Sequence, residues 1–61
     1  MTNRMKITEI AHSLYAAHGD KAELEAARRE NESKQSGDSG EAETWRAIRG
    51  AIRGIRGANQ S

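Results

Sequence analysis

The chain has 61 residues, no cysteine and a formal net charge of +1, with 34% apolar and 31% charged side chains. That length allows at most one small domain with a thin core, and the absence of thiols excludes a disulfide framework and a thiolate metal site. No run approaches the roughly 20 apolar residues of a membrane span, and Met1-Thr2-Asn3-Arg4 is not followed by the apolar stretch of a signal peptide, so a cytoplasmic protein is expected.

Eleven side chains are large and apolar, and ten alanines make up the rest of the apolar share. A chain this lean is expected to gain stability by self-association or by docking on a partner, because anything that binds only the folded state stabilises it. The small net charge hides a segregation along the chain. Residues 20–43 carry eight acids against four bases, whereas residues 44–61 carry four arginines and no acid. The helix dipole favours such an order, acids early and bases late.

Residues 1–3 are expected to be disordered. From about residue 4 to 18, Ile7, Ile10, Ala11, Leu14 and Ala17 recur at helical spacing and predict an amphipathic helix, with Met5 and Tyr15 flanking the stripe. Gly19 stands where a left-handed residue closes a helix. Asp20 with Glu23 then forms a capping-box pattern opening a second helix over about 21–35. That helix is mostly alanine and charge, supported by the i,i+4 pairs Lys21/Glu25, Glu25/Arg29, Arg28/Glu32 and Glu30/Lys34. Its expected buried edge is Leu24 and Ala27, joined by Ala22 and Ala26. Asn31, Ser33 and Ser36 weaken the second half, which is expected to fray.

Residues 36–40, Ser-Gly-Asp-Ser-Gly, are the linker. Gly37-Asp38 with Glu41 repeats the Gly-Asp-x-x-Glu arrangement of residues 19–23 and opens a third helix over about 39–56, with Glu43/Arg46 as an i,i+3 pair and residues 57–61 as a frayed tail. The short first connection predicts an antiparallel hairpin of helices one and two, across which helix three folds back. The expected fold is all-α, a single three-helix domain over residues 1–61.

The third helix carries the most organised pattern. Trp45, Ile48, Ile52 and Ile55 are spaced 3, 4 and 3 apart and form an apolar seam. Arg46, Arg49, Arg53 and Arg56 follow the same spacing one step round, and Ala47, Gly50, Gly54 and Gly57 make a third, small stripe. The bland reading places the seam in the core against Ile7, Ile10, Leu14 and Leu24. The glycines cost about 0.8–1 kcal/mol each against alanine in a helix interior, and less at Gly57 near the frayed end, which points to close approach of something to the backbone, to folding on binding, or to a loosely structured end.

Catalysis finds no support. His12 and His18 are six apart and lie about 120° from eclipsing on one helix, so they do not ligate a metal as histidines at i and i+4 do. Ser13 beside His12 points away from it, and the carboxylates have ready helix-surface partners. No cofactor, metal or small-molecule substrate is expected. Two binding readings remain. In the first, a protein partner with an acidic or apolar groove, or a second copy of the chain, meets helix three through Trp45, Ile48, Ile52 and Ile55 and through the four arginines, residue types that dominate binding hot spots. In the second, the same arginines track the phosphate backbone of RNA or DNA, against which stand the upstream acids and the scarcity of aromatic residues for stacking.

Tyr15-x-x-x-Gly19-Asp20 resembles the turn between the two helices of a tetratricopeptide repeat, and Trp45-x-x-Ile48 resembles how such a repeat begins. Leu24 and Arg49 depart from that pattern, where small residues are usual, and the spacing to Trp45 exceeds one repeat by three. The resemblance implies a generic helical hairpin. The segment Thr44-Trp45-Arg46-Ala47-Ile48-Arg49 is similar to small uncharacterised bacterial helical proteins, from which no activity carries over.

Overall fold

A computed structural model describes residues 4–58, and it is all-helical over that range. Helix α1 spans Arg4–His18, a 3-10 turn covers Gly19–Lys21, α2 spans Ala22–Gln35 and α3 spans Ser39–Ala58. The expected frayed tail therefore contributes two residues to α3, while 1–3 and 59–61 lie outside the described residues. No helix among the described residues is long and apolar enough to cross a membrane.

Each boundary has a local cause. Gly19 sits at φ +59°, the left-handed conformation that stops α1. The capping box expected at Asp20 does not form: the 3-10 turn takes residues 19–21, and α2 begins behind Lys21 with no side-chain cap. The Glu23 carboxylate that would complete the box reaches across to α3 instead. The second Gly-Asp pair behaves as expected. Gly37, at φ +81°, donates its N–H to the Lys34 carbonyl at 3.1 Å and Asp38 donates to Ser33 O at 2.9 Å, a Schellman closure of α2. Asp38 Oδ1 then accepts the Glu41 N–H at 3.0 Å and caps α3.

The second half of α2 does not fray. It is helical to Gln35, with Glu30 and Ser33 buried and Ser36 Oγ donating to Ser33 O at 3.0 Å. Along α2 the ion pairs Glu25–Arg29, Arg28–Glu32 and Glu30–Lys34 form at 3.4, 3.7 and 3.4 Å. Glu25 turns to Arg28 and Arg29 rather than to Lys21.

Helix α3 organises the packing. It lies most extensively on α2 and next on α1, while α1 and α2 touch each other least. The core consists of Ala11, Ala22, Ala26, Ile48 and Ile52, with Ile7, Ile10, Leu14, Tyr15, Trp45, Ala51 and Ile55 half-buried around it. Ala17 falls on the exposed side of α1.

Leu24 corrects the expected buried edge of α2. It is 69% exposed, whereas Ala22 and Ala26 are fully buried. Leu24 is two residues from each, about 160° round the helix, so α2 turns inward one stripe only: Ala22, Ala26, Glu30 and Ser33. Small side chains there let α3 come close enough for Ile48 and Ile52 to fill the space between the helices. Each buried isoleucine contributes about 1.5–3 kcal/mol.

Two outcomes follow from this packing, both checked by thermal unfolding followed by circular dichroism. Ile52→Ala lowers stability by about 2–5 kcal/mol, enough to unfold a domain with so little core, whereas Leu24→Ser changes it by no more than about 0.5 kcal/mol. Asp38→Ala costs about 1 kcal/mol through the lost cap, and Asp20→Ala, with no cap to lose, costs clearly less.

Candidate interaction surface on the third helix

The face of α3 directed at the rest of the chain is built from the apolar seam. Ile48 and Ile52 are 1% and 0% exposed, and Trp45 and Ile55 are half-buried. Both inner isoleucines are thus occupied by the chain's own core and are out of reach of any partner while α3 is docked. The guanidinium carbon of Arg29 stands 5.4 Å from the centre of the Trp45 ring, a cation–π contact between α2 and α3 that the sequence pattern did not disclose.

The arginine ridge divides. Arg49 Nη1 donates to Glu30 Oε1 at 3.0 Å, and Glu30 also takes Lys34 at 3.4 Å. Arg53 and Arg56 both reach Glu23, at 3.3 and 3.5 Å. Three of the four arginines therefore face carboxylates of α2 in the same molecule. Arg46 makes no ion pair among the described residues, and the Glu43/Arg46 pair expected from sequence does not form.

The two carboxylates differ in setting. The Glu30 side chain is 8% exposed and satisfied by two cations, so its pairing is the stronger. Glu23 is more open, and its partner Arg53 is largely in water, where an ion pair contributes little, while Arg56 is part-buried like Arg49. Glu23 and Glu30 are seven apart on α2 and meet Arg56 and Arg49, seven apart on α3, so the helices run antiparallel with matched repeats.

The small stripe faces outward. Ala47, Gly50, Gly54 and Gly57 are all exposed, and a Cβ built on any of the three glycines would meet no other atom within 4 Å. Internal packing therefore does not require glycine at these positions. Exposed Arg46 and Arg53 lie alongside the stripe.

Grooves border this surface. One of about 290 Å³ runs between α2 and α3 past Glu30, Lys34, Ala42, Glu43 and Arg46, with acids and bases alternating along its wall. Another, between α1 and α3, is lined by His12, Tyr15, Ala51, Gly54 and Ile55. His12 and His18 are both exposed on α1. Among the described residues no three metal-ligating side chains come together.

The unequal burial of the two carboxylates gives unequal costs in urea unfolding. Glu30→Ala lowers stability by about 1–2 kcal/mol, since it strips a part-buried Arg49 of its partner, and Glu23→Ala lowers it by less than about 1 kcal/mol. Comparisons with family models, curated proteins and solved structures find no match to this chain.

Proposed function

We propose that the chain is a small cytoplasmic three-helix module without enzymatic activity, which binds a protein partner or a second copy of itself through α3. The observation that carries this reading is the outward stripe of Ala47, Gly50, Gly54 and Gly57. Gly50 and Gly54, inside the helix with open space around them, forgo about 0.8–1 kcal/mol each in a domain with two large, fully buried side chains among the described residues. A bare helix face lets another backbone approach closely, which gives those glycines a use that folding alone does not.

Arg46, exposed beside the stripe and without an ion pair among the described residues, supplies a cationic contact of such an interface. Ile48 and Ile52 enter this reading as the residues that hold α3 in place, and Arg49 and Arg56 as those that lock it to α2. Nucleic-acid binding by the arginines stands second, because Arg49, Arg53 and Arg56 already hold carboxylates.

The double substitution Gly50→Ala/Gly54→Ala tests the proposal. It stabilises the isolated fold by about 1.5–2 kcal/mol, read as a higher Tm, and at the same time weakens association, read by sedimentation equilibrium for self-association and by partner capture for a foreign protein. Association left intact in the double variant would sink the reading. A loss confined to Arg46→Gln/Arg53→Gln, with a steep dependence on salt, would move the assignment to nucleic acid.

A further inference from the structure

We propose that two copies of this chain exchange α3, so that the α2–α3 pairing found within one molecule re-forms between two. The proposal goes beyond the outward stripe: it uses the inward face of α3, and it commits the partner to a second copy. Charge and shape both point there. The acidic helix that fits the arginine ridge is already present: α2 offers Glu23 and Glu30 to Arg56, Arg53 and Arg49, with the buried Ala22 and Ala26 of the same helix leaving room for Ile48 and Ile52. A second molecule presents the same surface in the same register.

The topology makes the exchange complete. Because α1 and α2 rest mainly on α3 and little on each other, a lobe made of α1 and α2 from one copy and α3 from the other keeps the helix–helix contacts of the closed molecule and gives up only the hydrogen bonds of the 36–38 turn. Exchange of an identical element is a low-cost route to a dimer for this reason.

The hinge permits opening. The chain reverses between α2 and α3 over residues 36–38, and the reversal depends on Gly37 at φ +81°, a region that L side chains rarely adopt. The chain contains no proline, so residues 36–38 can continue as ordinary helix and join α2 to α3 in one rod. The closed form needs the left-handed glycine, and the exchanged form does not.

Gly37→Ala therefore separates the two forms. Its added side chain strains the closed turn and suits a continuous helix, so the association constant measured by sedimentation equilibrium rises by roughly tenfold or more per hinge, with helical content retained. A Gly37→Ala protein that is monomeric up to millimolar concentration, and only less stable, overturns the proposal. A second experiment uses two charge-reversed chains, Glu23→Arg/Glu30→Arg and Arg49→Glu/Arg53→Glu/Arg56→Glu. Each repels itself at the α2–α3 contact, whether closed or exchanged, but mixed together they pair opposite charges in both lobes of an exchanged dimer. The expected result is a one-to-one complex with recovered helical signal, and its absence counts against exchange. If self-association is lost in Gly50→Ala/Gly54→Ala but unmoved by Gly37→Ala, the outward face of α3 makes the dimer, and exchange is wrong while the function proposed above stands.

Discussion

The structure depends on the antiparallel contact of α2 with α3. Close approach is possible because α2 turns Ala22, Ala26 and Ser33 inward, and close approach is what encloses Ile48 and Ile52. Without that contact α1 has little to rest on, since its own half-buried residues Ile7, Ile10 and Leu14 pack against a core that α2 and α3 provide. Glu30 belongs to the same stripe. A carboxylate among alanines is tolerable only because Arg49 and Lys34 neutralise it and occupy its oxygens.

A thin core has a direct effect on how specificity is achieved. Two isoleucines and a few alanines leave sliding of one helix along the other weakly opposed by shape. The ion pairs oppose it better, because Glu23 and Glu30 meet Arg56 and Arg49 at a matching seven-residue repeat and a shift by one or two residues would mismatch both. Registry is the best-attested use of such polar contacts in helix pairs. The charge segregation along the chain, acids in α2 and arginines in α3, is thus expressed inside the molecule as a matched pair of helix faces.

Much of the helical layout was legible in the sequence. The spacing of Trp45, Ile48, Ile52 and Ile55 marked one apolar face of α3, and Gly37-Asp38 identified both the end of α2 and the cap of α3. What was not legible arose where two elements compete for one residue. Glu23 suits a capping box locally, but two guanidiniums across the interface offer its carboxylate more than one backbone N–H does. Leu24 is the most hydrophobic residue of α2, yet the face is chosen by the whole stripe, and only the small-residue side permits the approach that buries two isoleucines. The interaction surface was legible in part. The seam, the ridge and the small stripe were each visible as patterns, but their assignment to core, to α2 and to solvent needed the packing.

The position of Trp45 has a spectroscopic consequence. It is the sole tryptophan of the chain, it is half-buried, and the Arg29 guanidinium of α2 lies over its ring. Indole emission therefore reports the α2–α3 contact, while far-ultraviolet dichroism reports helix wherever it occurs. A state in which α3 has left its own α2 but remains helical would shift the fluorescence and leave the dichroism nearly unchanged, so the native sequence carries its own probe of that separation without any label.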